Sequence, residues 1–314
     1  METKNEESPL KIRSARAAIA AGLRLYMGNF RRIFRATWLP ALLCAMVAAF
    51  ATRVMITAVG QIIQVLGVQA LAYAPALPQQ YLAQTGLTLL DAIVTVVLMS
   101  YVFGMLASHR AEGAIPYPTR WWSLPDHHSL TRTLASAAIW LLTQVVAGGL
   151  VAALFYFGLV RQSMTIMGAG AVLMLVISAL LIPLVYPHMR YLTTRDTNFF
   201  QLLRTGYVQG LRRWGYMFTV LLVMLLLLMV ALTVTTLPAI VLVVASIYSQ
   251  MGATMGDPLG MPSYMDWLSL VVFTLSGFIQ TYVIMAIHFP TYYMAGTIEQ
   301  QEILRNEKAE NTIH

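Results

Sequence analysis

One apolar stretch limits what this chain can fold into more than any other feature of its sequence. Residues 215–249 contain no Asp, Glu, Lys or Arg. A helix of this length would extend over roughly 50 Å, whereas the hydrocarbon core of a bilayer is about 30 Å thick. Pro238 removes a helical hydrogen bond near the far end of the stretch. We therefore predict one membrane crossing over residues 216–236, followed by a kink and a short continuation, and not two crossings.

The composition of the whole chain also indicates a membrane protein. Hydrophobic residues make up 58% of the 314 residues, and charged residues only 11%. Soluble domains carry about 25% charged residues, so most of this surface is predicted to face lipid. The net charge of +7 is typical of basic cytoplasmic loops in a membrane protein, and we predict no nucleic-acid partner.

Five further apolar segments predict an all-α polytopic membrane bundle of about six transmembrane helices. Their predicted limits are 38–59, 86–108, 134–157, 165–186 and 267–288. Residues 60–84 are predicted to form an outer connection. The resulting domain plan is a cytoplasmic tail with an amphipathic interfacial helix (1–37), the six-span bundle (38–298) and a cytoplasmic polar tail (299–314).

The distribution of basic residues predicts the orientation. Of the 20 Lys and Arg residues, all but Arg53 and Arg161 fall on one side of the predicted spans. Loops rich in Lys and Arg stay in the cytoplasm, so both termini are predicted to be cytoplasmic.

Two basic segments are predicted to form amphipathic helices in the headgroup layer. Residues 10–35 place apolar side chains at seven-residue spacing (Ile12, Ile19, Tyr26 and Ile33), and residues 190–214 carry a second stripe at helical spacing (Phe200, Leu203, Tyr207, Leu211 and Trp214). Each basic side chain near anionic lipid contributes about 1 kcal/mol. The predicted headgroup contacts are Arg24, Arg31, Arg32, Arg35, Arg204, Arg212 and Arg213.

The spans also form a weak pattern of repeated helical hairpins. Each unit has a polar or basic leading helix, an outgoing span and a returning span. The returning spans end in similar sequences, namely Ser108-His109-Arg110, Tyr186-Pro187-His188-Met189-Arg190 and His288-Phe289-Pro290. The leading segments 22–34 and 206–214 match each other best.

These leading segments carry a family resemblance. Residues 18–32 and 202–214 resemble the YciC-like bacterial membrane proteins and the membrane domain attached to some glycerophosphodiester phosphodiesterases. The resemblance implies a bacterial inner-membrane bundle of six or so helices with interfacial basic helices. It transfers no catalytic residue. No phosphodiesterase domain is found in this sequence, so the resemblance does not imply phosphodiesterase activity.

Arg53 and Asp91 are predicted to lie inside spans, at similar depths near the outer leaflet. A charge at mid-bilayer costs about 2.5–3.5 kcal/mol on insertion scales, so an intramembrane ion pair is expected. The pair would serve a substrate or proton relay, or it would be structural. Alternatively, Arg53 alone would reach the outer headgroups.

Three histidines, His109, His188 and His288, mark the cytoplasmic ends of the returning spans and predict a polar layer at the inner face. Three imidazoles in one layer would suit a metal ion. The sequence has no His-x-x-x-His spacing or nearby carboxylate cluster in support, however, so we predict no metal site and no cofactor.

Two predicted loops contain further candidate binding residues. Met251, Met255, Met261 and Met265 fall in one predicted outer loop, and thioethers are ligands that Cu(I) prefers. The pair Trp121-Trp122 is predicted to anchor an inner loop at the membrane surface.

No catalytic motif emerges from the sequence. Phosphate-binding loops, His-Glu-x-x-His, Gly-x-Ser-x-Gly and paired carboxylates do not occur. We therefore expect a non-enzymatic accessory or envelope protein, whose partners are the lipid bilayer, anionic headgroups or another membrane protein. Two alternatives remain: a small-solute transporter or channel built on Arg53, Asp91 and Pro238, and a lipid-active membrane enzyme built on the histidine layer.

Overall fold

The computed structural model describes residues 8–67, 77–117, 125–194, 198–254 and 262–313. These residues form α-helices and no strand, which confirms the predicted all-α class. Six helical segments are long and apolar enough to cross a membrane, as predicted. They are Phe30–Val59, Leu82–Glu112, His127–Val160, Met164–Thr193, Trp214–Ser249 and Tyr264–Thr312.

Ten α-helices are present in the described part of the chain. They are α1 (Ala15–Gly28), α2 (Phe30–Gly67), α3 (Leu77–Glu112), α4 (His127–Val160), α5 (Met164–Leu181), α6 (Val185–Thr193), α7 (Phe199–Arg212), α8 (Trp214–Thr254), α9 (Tyr264–Met285) and α10 (His288–Ile313). A 3₁₀ turn, Ile182–Leu184, joins α5 to α6.

Several helices extend beyond the predicted spans. The candidate spans end at Val59 and begin again at Leu82, close to the outer connection predicted over residues 60–84. Helix nevertheless extends into this connection from both sides, because α2 continues to Gly67 and α3 begins at Leu77. Residues 60–67 carry no charge and no proline that would end a helix. Pro78 falls in the first turn of α3, where a missing N–H is tolerated. Residues 68–76 lie outside the described residues.

The long apolar stretch forms one helix, α8, which contributes one candidate span. Pro238 lies inside this helix and does not end it. The helix continues to Thr254, so the stretch forms one continuous helix and supplies one candidate span rather than two.

The first basic segment is divided between two helices. Ser14 begins α1, and its hydroxyl accepts a hydrogen bond from the Ala17 backbone N–H. Asn29 caps the end of the helix: its backbone leaves the helical conformation (φ −112°, ψ 12°), and its side-chain N–H donates to the Leu25 carbonyl at 3.0 Å. Ile12 precedes α1, and Ile33 lies in α2. The predicted stripe from Ile12 to Ile33 therefore does not run along a single helix.

The described chain forms two compact units. Unit 1 comprises Met1–Ile33, Met99–Leu225 and Ile287–His314, and unit 2 comprises Phe34–Leu98 and Leu226–Ala286. The domain boundaries predicted at residues 37 and 299 both fall inside helices, α2 and α10 respectively.

The core of unit 1 is the first half of α10. Phe289, Tyr292, Tyr293, Met294 and Ile298 are all at most 2% exposed. The sequence had placed this segment after the last span, as the approach to a polar tail. The uncharged, aromatic-rich run after His288 explains this burial, because it offers no charge that would require water.

Helix α1 packs against α10 at a glycine. A Cβ atom at Gly22 would lie 2.3 Å from the backbone nitrogen of Pro290 and 2.6 Å from the carbonyl carbon of Phe289. Real Cβ atoms do not approach backbone this closely, so only glycine allows the two helices to reach this separation.

Helix α7 packs in a similar way on the 3₁₀ turn after α5 and on the first turn of α6. A Cβ at Gly206 would lie 2.8 Å from Pro187 Cβ, and one at Gly210 would lie 2.7 Å from the Pro183 carbonyl oxygen. Pro183 has no N–H, so the Ala179 carbonyl loses its helical donor. The Trp214 indole N–H donates to that carbonyl instead, at 2.9 Å.

Unit 2 is organised by antiparallel packing of α2 on α9. The hydroxyls of Thr37 and Tyr282 are hydrogen-bonded at 3.3 Å. Further along, a Cβ at Gly277 would contact Ala45 Cα at 3.4 Å. A buried cluster of Ala49, Ile56 and Phe273 continues this contact.

Candidate functional site

A cavity of about 420 Å³ lies in unit 1, between α1, the start of α2, the end of α3 and α10. Two arginines and one histidine line it, and none of its described lining residues is acidic. The lining residues are Ala21, Arg24, Leu25, Gly28, Asn29, Arg32, His109, Gly113, Ala114, Ile115 and Tyr293.

The backbone at the end of α3 positions one side of this cavity. Gly113 has a φ of 75°, a conformation that favours glycine, and its N–H donates to the His109 carbonyl at 2.8 Å. The chain thereby turns so that the Ile115 carbonyl accepts a hydrogen bond of 2.8 Å from Arg32 Nη1. This bond fixes one of the two cavity guanidinium groups.

A third guanidinium, that of Arg13, packs on the ring of the lining residue Tyr293. Arg13 lies with its Cζ 4.8 Å from the ring centroid, and it donates to the Ser8 carbonyl at 2.7 Å. Burial lowers the pKa of Arg13 from its ordinary value. Arginine side chains keep their proton in proteins, so this group is charged at neutral pH. The guanidinium groups that line the cavity itself are those of Arg24 and Arg32, and guanidinium groups are well matched to phosphate and carboxylate oxygens.

Two of the three predicted histidines lie where α3 meets α10. His109 is buried, and its Nδ1 lies 3.0 Å from the Tyr292 hydroxyl. His288 packs edge-to-face on Phe103, with ring centroids 5.3 Å apart.

The third histidine, His188, has different neighbours. Its Nδ1 lies 2.8 Å from the Leu184 carbonyl, so this nitrogen carries the proton. Its ring packs edge-to-face on Trp140 and Phe199. The described residues contain no group of three or more His, Cys, Asp or Glu side chains that could hold a metal ion. His188 packs among different side chains from His109 and His288.

A charge cluster among the described residues of unit 1 centres on two glutamates that are predicted from the sequence to lie in a polar tail. Glu299 is 7% exposed, and Arg110 Nη2 donates to its two carboxylate oxygens at 2.8 and 2.7 Å. Arg190 Nε lies 3.4 Å from the same carboxylate. Glu302 is 6% exposed and lies 3.7 Å from Arg212.

Sequence reasoning missed this cluster because a charged terminal segment is normally solvated. One signal could have revealed it. Residues 289–298 are uncharged and lead without a break into Glu299 and Glu302, which lie three residues apart and so share a helix face.

A buried arginine, Arg132, was also missed. It is 8% exposed and donates to the backbone carbonyls of Tyr191, at 2.7 Å, and Thr194. Its guanidinium lies 4.6 Å from the Tyr191 ring centroid. This side chain satisfies carbonyls at the C-terminus of α6, where a positive charge is also favoured by the helix dipole.

The predicted ion pair between Arg53 and Asp91 is wrong. Arg53 Nη2 instead lies 3.5 Å from Asp266. The register of α2 against α9 explains this partner. Thr37 meets Tyr282; Arg53 lies 16 residues after Thr37, and Asp266 lies 16 residues before Tyr282.

The packing of α3 against α2 places Asp91 at a different level from Arg53. Cys44 Sγ lies 3.7 Å from the Thr95 hydroxyl, which aligns the two antiparallel helices. Asp91 is four residues before Thr95, so it is level with residue 48 of α2. Arg53 lies five residues further along, which is about 7.5 Å of helix.

The arginines predicted to contact headgroups fall into two groups. Arg24, Arg31, Arg35, Arg204 and Arg213 are exposed. The other two are engaged within the protein: Arg32 with Ile115, and Arg212 with Glu302, although Arg212 is still half exposed.

The buried face of α7 differs from the predicted stripe. Phe199, Leu202, Gly206 and Gly210 are buried. Two members of the predicted stripe are exposed instead: Phe200 at 75% and Leu211 at 48%. The glycines explain the reversal, because only a face of small residues can approach Pro183 and Pro187 closely enough to pack.

Two predictions lie outside the described residues. They are the membrane anchor at Trp121-Trp122 and the part of the methionine loop that contains Met255 and Met261.

Comparison of the chain with protein-family models, with curated proteins and with solved structures gave no match.

Proposed function

We propose that this multipass membrane protein is a non-enzymatic accessory protein of the bacterial inner membrane that binds anionic lipid headgroups. Both termini lie in the cytoplasm in this proposal, and α1 and α7 lie in the inner headgroup layer. The six apolar helices support the membrane setting. The resemblance of the leading segments to YciC-like proteins supports the bacterial inner membrane.

The observation that carries the proposal is a set of exposed arginines in unit 1, all in segments predicted to lie on the cytoplasmic side. Arg24 on α1, Arg31 at the start of α2, and Arg204 and Arg213 at α7 are exposed. Anionic lipid attracts each such side chain by about 1 kcal/mol near the surface.

Helix α7 supports an interfacial position in a second way. Arg204 is four residues from Phe200 and seven from Leu211, so all three project from the same side of the helix. A face that exposes apolar and basic side chains together suits the boundary between headgroups and acyl chains. The opposite face is buried against Pro183 and Pro187.

The two alternative functions gain no support from the side chains on which they were based. A transporter relay required Arg53 to meet Asp91, and Arg53 pairs with Asp266. An enzyme site required three converging histidines, and His188 packs among different aromatic rings from His109 and His288.

The test compares anionic with zwitterionic lipid on the protein purified in a neutral detergent. Native mass spectrometry counts bound phosphatidylglycerol and phosphatidylcholine, and thermal unfolding is followed as each lipid is added. We expect phosphatidylglycerol to bind and to raise Tm, and phosphatidylcholine to do neither. Equal binding of the two lipids would contradict the proposal.

A matched pair of variants locates the effect. Arg204→Gln with Arg213→Gln is expected to reduce phosphatidylglycerol binding. Arg161→Gln removes an exposed arginine on the predicted outer side and is expected to leave binding in the inner headgroup layer unchanged.

A further inference from the structure

We infer that the cavity between α1, α3 and α10 is a specific binding site for an anionic phosphate group. The phosphate belongs either to a lipid headgroup or to a small soluble phosphate compound. The inference rests on the proposed function only in placing this cavity at the inner headgroup layer.

The size of the cavity fits such a ligand. Small-molecule sites occupy about 300–1,000 Å³, and this cavity measures about 420 Å³. A phosphate with an attached glycerol is well within this volume. Leu25 and Tyr293 add an apolar wall against which the non-phosphate part of the ligand can pack.

The charges around the cavity favour an anion. Arg24 and Arg32 both line it. A guanidinium has five N–H donors, so the bond from Arg32 to Ile115 orients the group and leaves further donors for a ligand. This pre-positioning lowers the entropic cost of binding.

The nearby carboxylates do not neutralise these arginines. Glu112 precedes Gly113 but is exposed and does not line the cavity. Glu299 is bonded to Arg110, the residue after His109. The described lining residues therefore leave two positive charges for the ligand to balance.

Gly28 allows the cavity to be tested without removing an arginine. It lines the cavity, and a Cβ added there would meet nothing within 4 Å. Gly28→Glu places a negative charge in the cavity, and Gly28→Gln places a side chain of nearly the same shape without the charge. The two variants differ in electrostatics alone.

Arg24→Gln forms a second pair with Arg31→Gln. Both arginines are exposed and lie seven residues apart, but only Arg24 lines the cavity. General attraction to an anionic surface would weaken equally in both variants, whereas binding in the cavity depends on Arg24.

The experiment uses the full-length protein in neutral detergent and chloride buffer. The probes are phosphatidylglycerol, glycerol phosphate and inorganic phosphate. Binding is measured by native mass spectrometry for the lipid and by the rise in Tm for the soluble probes. We expect at least one probe to bind to the wild type and to Gly28→Gln, at least tenfold more weakly to Gly28→Glu and Arg24→Gln, and unchanged to Arg31→Gln.

The probes also identify the source of the phosphate. Binding of phosphatidylglycerol without competition from glycerol phosphate indicates a lipid headgroup, and binding of the soluble probes indicates a small phosphate compound. If no probe distinguishes Gly28→Glu from Gly28→Gln, or Arg24→Gln from Arg31→Gln, the inference is wrong. Should Gly28→Glu fail to fold, the comparison of Arg24→Gln with Arg31→Gln is by itself sufficient to test the inference.

Failure of the inference can be told apart from failure of the proposed function. Phosphatidylglycerol binding that is unaffected by the cavity variants would refute the site and leave the proposed function standing. Cavity-dependent binding of soluble phosphate, with no preference for anionic lipid, would support the site and refute the proposed function.

Discussion

Arg110 and Glu299 are joined by hydrogen bonds of 2.8 and 2.7 Å, although 189 residues separate them in the sequence. Arg110 ends one returning helix, and Arg190, at the end of another, lies 3.4 Å from the same carboxylate. Both arginines follow a histidine in the repeated endings of these helices. The similar endings of two returning helices therefore converge on one buried glutamate of α10.

We expect Glu299→Gln to destabilise the protein by about 3 kcal/mol, because it leaves two largely buried arginines without a counter-charge. This value is at the low end for a buried pair, since Arg190 is still 27% exposed. The measurement is the denaturant or thermal unfolding of the purified protein in detergent. Glu307→Gln on the exposed part of the same helix is the control, and equal stability of the two variants would contradict this assignment.

Gly22→Ala is expected to destabilise unit 1 by about 3 kcal/mol or more, because its Cβ would overlap backbone atoms of Phe289 and Pro290 that cannot rotate away. Gly28→Ala, on the same helix, meets nothing within 4 Å and is expected to be neutral or slightly stabilising, since alanine favours helix by up to about 1 kcal/mol. Comparing Tm for the two variants checks this prediction. A stable Gly22→Ala protein would show that α1 can move away from α10.

The Arg53–Asp266 pair is expected to contribute far less. Arg53 is 36% exposed and Asp266 is 78% exposed, and exposed ion pairs contribute about 0–1 kcal/mol. A double-mutant cycle with Arg53→Gln and Asp266→Asn, followed by unfolding in detergent, should give a coupling below about 1 kcal/mol. A coupling of several kcal/mol would show that this pair is shielded from water in the folded protein.

The number of spans and the helical class could be predicted because they depend on local composition. Long uncharged runs such as residues 215–249 need no knowledge of their neighbours to be assigned to a membrane. The two basic leading segments could be located for the same reason. The break at Asn29 between α1 and α2 was not predicted, and neither was the glycine-containing buried face of α7.

The charge pairs and the cavity could not be predicted because they depend on which distant segments meet. Arg53 and Asp91 were paired by depth alone, whereas the register of α2 against α9 determined the partner. Arg32 reaches a carbonyl 83 residues away, and only the turn at Gly113 brings that carbonyl into position. Burial of Glu299 likewise depends on arginines supplied by α3 and α6.

The orientation of the chain can be tested with cysteine labelling, because the sequence contains a single cysteine, Cys44, and it is buried. Wild-type protein is therefore expected to resist a membrane-impermeant maleimide and to provide a clean background. Arg161→Cys and Lys308→Cys place thiols at two exposed positions.

If both termini are cytoplasmic, Arg161→Cys will be labelled in intact cells, whereas Lys308→Cys will be labelled only after the inner membrane is permeabilised. The physical basis is the excess of Lys and Arg on the side of Lys308, which translocates poorly. Lys308→Cys replaces one of many basic residues on its side, so the substitution itself is not expected to invert the protein. Labelling of Lys308→Cys in intact cells, with Arg161→Cys protected, would reverse the orientation and move the exposed arginines and the phosphate cavity to the opposite membrane face.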